Sequence, residues 1–409
     1  MKNTGIYPAE ILIPEKTDMS KWSCVACDQF TSEKEYWDKL ADFVGDARST
    51  LKITLPEIYL NDNAEKRISE INKNIKEYLC GGVFRRLPKG YVLTVRSTPF
   101  VKKRVGLIAC VDLETYEYKK GSKALVRATE GTIEERIPPR LKIRENADVE
   151  LPHIMILFDD EKREITERLY EQRAEFTKLY DFELNMGGGH IEGYFVPESE
   201  NLADKFSALL DCERLKAKYG REDEFAFAVG DGNHSLATAK AHWERVKANL
   251  TESARKTHPA RYALAEFVNI YDEGIYFEPI FRFVCGVDRN KFIKSLKEKV
   301  SGHYRVADGN TATEVAGNKP LPSVISAIDE FISEYISENG GSVDYVHGEE
   351  NLFKLVKADK TAVGIMPDAL DKGDLFKFVS QSGAFPRKTF SMGEGVEKRY
   401  YLEAKEIRN

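Results

Sequence analysis

Apolar positions recur along this chain in two rhythms, and the places where one gives way to the other outline its elements. TSEKEYWDKLADFVGD carries Tyr36, Leu40 and Phe43 at helical spacing behind Thr31 or Ser32, which predicts a capped helix. AEKRISEINKNIKEYLCGG predicts a second helix, ended by Gly81-Gly82. GYVLTVRS, RVGLIACVDL and HIMILFDD read as strands. EKREITERLYEQRAEFTKLYD predicts an amphipathic helix, FELNMGGGHIEGYFVP a hairpin around Gly187-Gly188-Gly189, and NLADKFSALLDCERLKAKYG one further helix.

The sharpest change of rhythm lies in EFAFAVGDGNHSLATAKAHWERVK. A β-like run ends in Gly230-Asp231-Gly232-Asn233-His234-Ser235, and a helical pattern starts at once. RYALAEFVNIYD and GIYFEPIFRFV follow as long β patterns. From about residue 286 the chain alternates helices and short strands, as in RNKFIKSLKEKV, LPSVISAIDEFISEYISENG and TAVGIMP. With 409 residues, more than one ordinary core is expected. The boundaries predicted are a catalytic domain over 1–285 and a smaller α/β lobe over 286–409, whose tail AFPRKTFSMGEGVEKRYYLEA folds back on the first. Strands and helices mix without a strict βαβ rhythm, so the fold class predicted is α+β.

Composition narrows the picture. Hydrophobic residues at 42% and charged residues at 31% describe a globular chain. A net charge of −6 argues against a nucleic-acid surface, because phosphate binding shows as a basic excess. No apolar run reaches the roughly 18 residues of a membrane span, and the start MKNTGIYPAEILIPEK lacks a signal peptide's apolar stretch. A cytoplasmic protein acting on small molecules, with neither nucleic acid nor membrane as partner, is expected. Of the six cysteines only Cys24 and Cys27 form C-x-x-C, and the second pair that a structural zinc site needs is missing. Redox chemistry at that pair and two reduced buried thiols are both open, the second being the plainer reading.

Three stretches hold candidate chemistry. At the 230–235 corner, a strand feeding a glycine-rich turn and a helix points free N–H groups and a positive helix end at one spot, a geometry suited to phosphate. Gly230 and Gly232 permit close backbone approach, Asn233 and His234 add donors, Ser235 can cap the helix, and Asp231 can hold Mg²⁺. The same residues fit a plain turn with Ser235 as N-cap. The corner is neither a Walker A loop nor G-x-G-x-x-G, and no HExxH helix or G-x-S-x-G elbow is present. In VRATEGTIEERIPPRLKIRENADVELPH, Arg127, Arg136, Arg140 and Arg144 alternate with Glu130, Glu134 and Glu135 in a proline-broken segment. Such a loop can set guanidinium groups against phosphate and leave a carboxylate as base, or form a solvated, self-paired surface. His190 and Glu192, two apart in GGGHIEGYFV, share one face of a strand; Asp28 precedes a helix in VACDQF. Each has a purely structural reading beside a functional one.

AVGDGNHSLATAK resembles the phosphate-binding box of the ParB/sulfiredoxin-like superfamily, where a strand ends in a Gly-x-His-Arg or Gly-x-Arg-Arg turn. More closely, the chain resembles a broad family known as a domain of unknown function. That family carries an Arg-x-His-Glu-x-Thr segment and an Ala-Asp-Gly-His-His-Arg box. Here these read Arg127-Ala128-Thr129-Glu130-Gly131-Thr132 and Gly230-Asp231-Gly232-Asn233-His234-Ser235. DEGIYFEPIFRFV and FPRKTFSM extend the resemblance over nearly the whole chain. It implies a mixed-sheet ParB/sulfiredoxin-like catalytic domain.

Relatives in that superfamily include kinases of free L-serine that use a nucleotide or pyrophosphate. The resemblance therefore implies an Mg²⁺-dependent phosphotransferase making O-phospho-L-serine from pyrophosphate or a nucleoside phosphate. Gly230, Gly232, Asn233, His234, Ser235, Arg127 and Thr132 would hold the donor, and Asp231 would place the metal. Glu130, His234 and Asp231 would be the catalytic residues, Glu130 taking the hydroxyl proton, and Asp28, His190 and Arg140 would meet the substrate. Ser235 stands where an arginine is common and Thr129 where a histidine is common; a small donor held mainly by backbone N–H groups is compatible with the residues that remain. The sulfiredoxin cysteine is absent, Asn233 being in its place. A nucleotide-binding ParB-like switch and a phosphate-ester or nucleotide hydrolase are the rival readings.

Overall fold

A computed structural model describes residues 3–119, 121–220, 224–309 and 311–408. The alternation read at 90–97 and 104–112 becomes a pair of antiparallel strands. With Ile6–Tyr7 as β1, Gly90–Ser97 is β2 and Arg104–Asp112 is β3; Val92 stands opposite Ile108 and Val95 opposite Val105. Successive side chains of a strand point to opposite faces. Accordingly Leu93, Leu107, Ala109 and Val111 enter one core, and Val92, Ile108 and Cys110 enter another. All nine residues of β3 are buried, as expected of a central strand covered on both faces.

The remaining strands of this sheet are Tyr116–Glu117 (β4), Val126–Ala128 (β5), Met155–Phe158 (β6), Thr177–Leu184 (β7), Gly189–Pro197 (β8), Phe227–Asp231 (β9) and Tyr262–Asn269 (β10). Among the described residues these ten strands form one mixed sheet in the order β7-β8-β2-β3-β10-β6-β9-β5-β4, with β1 added on β3. The pairs β6/β10, β9/β5 and β5/β4 are parallel and the others antiparallel. Helices Lys34–Val44 (α1) and Ala64–Cys80 (α2) cover one face, burying Trp37, Leu40, Ile71 and Ile75. After Ile137–Arg144 (α3) and Thr166–Glu171 (α4), the helices Leu202–Ala208 (α5), Cys212–Tyr219 (α6) and Asn233–Lys247 (α7) follow. Phe206, Leu215, Leu236 and Trp243 are buried, and Phe206, Leu236 and Trp243 belong to the core of the other face. No helix among the described residues is long and apolar enough to cross a membrane.

Local expectation and structure differ at instructive places. The helix expected over 161–181 is only the short α4 and a 3-10 turn, and β7 begins at Thr177. Tyr180 and Leu184 are the buried residues of β7, four apart, a spacing that helix and strand both satisfy; pairing with β8 decides for strand. The hairpin around Gly187 and Gly189 forms as read, with β7 and β8 as its arms. The helix expected over 201–220 breaks into α5 and α6, because the Asp211 side chain caps a fresh start by accepting from the Arg214 N–H, 2.8 Å. Glu33, not Thr31 or Ser32, precedes α1, and its side chain makes no cap bond. The proline-broken segment is not one long helix: Pro138 and Pro139 open the short α3, where their missing N–H groups cost nothing.

The chain divides into two compact units. One runs through Ile275 and takes in Val379–Gly383 and the residues from Glu394; the other is Tyr276–Phe378 with Ala384–Gly393. Position 285 ends a strand of the second unit, Phe281–Cys285 (β11). With Tyr304–Ala307 (β12), Ala312–Val315 (β13), Ser342–Val346 (β14) and Val363–Pro367 (β15), it forms an antiparallel sheet in the order β13-β12-β15-β11-β14. Arg289–Lys299 (α8) and Leu321–Asn339 (α9) pack Phe292, Leu296, Ile328 and Phe331 on one face; Glu349–Ala358 (α10) packs Leu352 and Val356 on the other. GIYFEPIFRFV is two strands rather than one: Phe277–Pro279 pairs with Phe390–Met392 and β11 joins the five-stranded sheet.

Candidate functional site

The corner of interest is built by a register change. Met155 of β6 pairs with Asp231, but Ile156 pairs with Val229, leaving Gly230 as the extra residue of a bulge. The bulge ends β9 and hands the chain to α7 through Gly232, whose φ is 77°. A Cβ there would lie 2.9 Å from the Cα of Ile154, so only glycine fits without strain. Ser235, expected as N-cap, is the third residue of α7, since Gly232 starts the helix earlier, with no side-chain cap bond. The backbone N–H groups of Asn233 and Ser235 have no protein acceptor among the described residues. They stay open at the positive helix end because the cap is a glycine. Asp231 accepts from the Gly232 N–H at 2.9 Å, and its other oxygen lies 3.2 Å from Lys398 Nζ.

The second predicted cluster reaches this corner from a neighbouring strand. β5 runs parallel beside β9, with Ala228 opposite Arg127 and Val229 opposite Ala128, so residues 129–133 leave the sheet alongside the corner. Thr129, buried, donates to the Val229 carbonyl at 2.6 Å, and the Ile133 N–H donates to His234 Nε2 at 3.2 Å. In that contact Nε2 of His234 is the acceptor. Thr132 Oγ1 and Asn233 Oδ1 are buried atoms without a hydrogen-bond partner among the described residues. Half-buried Glu130 sits between these anchored residues. Arg127 is buried, but its guanidinium lies over the Phe225 ring at 4.6 Å and donates to Ala124 O at 2.8 Å. Both contacts lie ahead of β9 and not at the corner where its tip was expected.

A third group comes from segments far apart in sequence. His153, two residues before β6, places Nε2 3.3 Å from Asp28 and Nδ1 3.0 Å from the Tyr401 hydroxyl, which accepts from the Cys27 N–H at 3.1 Å. Burial works against a charge on His153, but Asp28, Asp231 and Glu57 outweigh it and hold its pKa above the ordinary value. Asp28 is likewise opposed by burial, yet His153, Gln29 and Lys398 hold its carboxyl well below the usual range. Glu57 pairs with Arg140 of α3, which also donates to the Arg136 carbonyl at 2.7 Å. Asp28, Arg140 and Asp231 thus share one charged neighbourhood with His153, Glu57 and Lys398, three residues that carry no motif in the sequence. Burial, then the charge of Asp28, pushes the Cys27 thiol up to about 12, which suppresses the thiolate that disulfide exchange needs. Cys24 and Cys27 are free, with Cys24 Sγ 3.4 Å from Ser49 Oγ.

His190 is not brought to the corner. It lies on β8, with β2, β3, β10 and β6 between it and β9. Its ring nitrogens lie 2.9 Å from Asp181 and 2.9 Å from Glu183, and Lys178 pairs with Glu192 at 3.2 Å. Asp181, His190 and Glu192 bring three metal-capable atoms within 4.8 Å of one another. Lys178, paired with two of those carboxylates, already supplies the positive charge there.

The family model described as a protein of unknown function, DUF1015, matches residues 6–400. No curated protein matches the chain. Among solved structures, the chain is similar to a conserved hypothetical protein from Pyrococcus furiosus at 10% identity and a TM-score of 0.34, covering 71% of this chain and 95% of that one. It is similar to a free serine kinase in complex with AMP at 8% identity and a TM-score of 0.38, covering 72% and 92%. A C-terminally truncated SbnI from Staphylococcus aureus is similar at 10% identity and a TM-score of 0.37, covering 70% and 82%.

Proposed function

This chain belongs to the DUF1015 family, and from that premise we propose that it is a phosphotransferase. In this reading it moves a phosphoryl group from pyrophosphate or a nucleoside phosphate to the hydroxyl of a small amino acid, with L-serine the acceptor that the sequence resemblance implies. One observation carries the reading: the segment with Glu130 is tied to the glycine corner by Thr129–Val229 and Ile133–His234, although a hundred residues of chain separate them. Phosphoryl transfer asks the protein for positioned phosphates, neutralised charge and a base near the acceptor hydroxyl.

The open N–H groups at the start of α7, with Gly230, Gly232, Asn233, His234 and Ser235 around them, suit a terminal phosphate. Thr132 Oγ1 and Asn233 Oδ1, buried and unpartnered, are polar atoms for a ligand to satisfy. Glu130 takes the proton as the acceptor oxygen bonds to phosphorus and the bond from phosphorus to the leaving phosphate breaks. Lys398 and Arg140 hold positive charge near Asp231 and Glu57, and His153, its pKa raised by its acidic neighbours, lies beside Asp28. Asp28 and Arg140 remain the substrate-side residues of this proposal; His190 and Arg127 leave it because of where they lie. For Mg²⁺ the corner offers Asp231, one of whose oxygens is already shared with Lys398. Such a set suits an ion that arrives on the donor phosphates and takes one protein carboxylate. Bound there, the ion would neutralise charge on the transferring group.

The test incubates the protein with Mg²⁺, L-serine and ATP, ADP or pyrophosphate and looks for phosphoserine. Donor loss without phosphoserine would identify a hydrolase, and saturable nucleotide binding without turnover a ParB-like switch; either overturns the kinase reading. Glu130→Gln is expected to lower kcat about 10²- to 10⁴-fold with the fold intact. His234→Ala is expected to raise the donor KM first. Full activity in Glu130→Gln would remove it from the role of base.

A further inference from the structure

We propose that the first unit holds a second ligand site, a cavity between α3, α7 and the C-terminal residues Ile407 and Arg408 that takes a small organic anion with a carboxylate or phosphate head and an apolar body. The cavity has a volume of about 470 Å³, within the range of small-molecule sites. Leu141, Val246 and Ile407 give it apolar walls, and Arg245, Arg408, His242, His258 and Asn249 give it polar ones, with Glu145 the single acid of the lining among the described residues. His242 lies nine residues beyond Asn233 on α7, about 13 Å along the helix axis at 1.5 Å per residue, so the cavity is separate from the corner.

His242 points most clearly to a missing partner. Its side chain is 5% exposed, and its Nδ1 is buried without a hydrogen-bond partner among the described residues. A buried polar atom left unpaired is costly, and a ligand atom in the cavity would relieve that cost. The surroundings favour an anion. Burial, then Arg144, Arg408 and His258, against the opposing Glu150, depress the His242 pKa to about 4. His258 is depressed as well, by burial and by Lys405. Arg144 and Arg408 at His242 and Lys405 at His258 add to the larger effect of burial, an addition that marks a positive local potential.

The arginines are available to a ligand. Arg245 meets Glu145 at 3.4 Å with its side chain 66% exposed; Arg408, 44% exposed, meets Asp148 at 3.7 Å and donates to the Glu145 carbonyl and to Asn146. Surface pairs of this kind contribute about 0–1 kcal/mol, so the Arg245 guanidinium can turn to an anion at little cost, whereas Arg408 offers the part of its fork not used on the Glu145 carbonyl. Carboxylate and phosphate both match the guanidinium fork, which is why the head group is given as their shared chemistry.

The test uses phenyl phosphate and benzoate as probes, read at the His242 ring by NMR of protein labelled at its histidines, the signal assigned by its loss in His242→Gln. A saturable shift at His242 with one or both probes is expected, and the tighter probe identifies the head group. The bound anion is also expected to raise the titration midpoint of His242. In Arg245→Ala/Arg408→Ala the affinity is expected to fall about tenfold or more, the loss of a charge-assisted contact. His234→Ala, which alters the corner, is expected to leave the His242 shift unchanged, so failure of phosphoryl transfer and failure of this site are told apart. No saturable shift with either probe, or equal affinity in the double arginine variant, would overturn the proposal.

Discussion

Gly232 shows how much one backbone position decides. At φ 77° it turns the chain from β9 into α7, and a Cβ there would press on the Ile154 backbone at 2.9 Å. Gly232→Ala is therefore expected to cost about 1–3 kcal/mol in urea unfolding, because positive φ in a non-glycine residue is strained and the neighbour is main chain. An unchanged midpoint would mean that the turn relaxes without cost. The glycine cap also leaves the first N–H groups of α7 open where a Ser235 cap would have begun to close them. Beside it, Asp231 has Lys398 at one oxygen and the Gly232 N–H at the other, so its carboxylate is held in one orientation. The motif named the residues of this corner; their partners Lys398 and His153 bear no local mark.

At the scale of elements, α7 serves two ends. Its first turn faces the glycine corner, its middle buries Leu236, Ala239 and Trp243, and its last turns present His242 and Arg245 to the cavity. His242 makes the stability of this region depend on pH. Its folded pKa near 4 lies below the ordinary 6.5 of the unfolded chain, so between those values the unfolded state binds more protons. The stability that a neutral His242 contributes is complete above pH 6.5 and is lost as pH falls towards 4. His242→Gln is expected to flatten the thermal unfolding curve across that window, the groups facing it, Arg144, Glu150, Arg408 and His258, being unchanged; an identical slope in both proteins would count against it. β7 teaches a different lesson. Its sequence suits a helix as well as a strand, and only the hydrogen bonds of β8 choose between them.

For the whole molecule, the last residues close the first unit. Tyr400 and Tyr401 pair with Val25 and Cys24, Lys405 and Glu406 pair with Glu150 and Val149, and Leu402, Ala404 and Ile407 are buried. Arg399 lies 3.0 Å from Glu266 and also pairs with Glu403, whose carboxylate accepts from the Tyr180 hydroxyl. Arg96, with its pKa lowered to about 9 by burial and by Arg104, donates to the carbonyls of Val396, Glu397 and Lys398. Removing one partner of a buried pair costs about 3–5 kcal/mol, so Arg399→Met is expected to lose that much in urea unfolding. Truncation before Glu394 is expected to abolish the first unit's cooperative thermal transition, and a truncated chain with an unchanged transition would refute this closing role.

Much of the outline was local and therefore legible. The passage from period 2 to period 3.6 at 224–247, the apolar runs of β2, β3 and β10, the hairpin at Gly187–Gly189 and the alternating helices and strands of the second unit follow from side-chain chemistry within a few residues. The glycine corner and the segment around Glu130 were legible for the same reason, since each has its chemistry in adjacent residues. Other features depend on groups that meet only after folding. Strand pairing made β7 a strand, the bulge against Met155 set Gly230 apart, and packing turned Arg127 towards Phe225 and kept His190 on a distant strand. Folding also brought His153, Glu57, Lys398 and Tyr401 to Asp28 and Asp231. Periodicity reports how one residue relates to its near neighbours, whereas burial, charge pairing and strand register are set by partners up to hundreds of residues away. The sequence by itself therefore determined the elements and the candidate chemistry, and the tertiary structure decided which of those groups share a site.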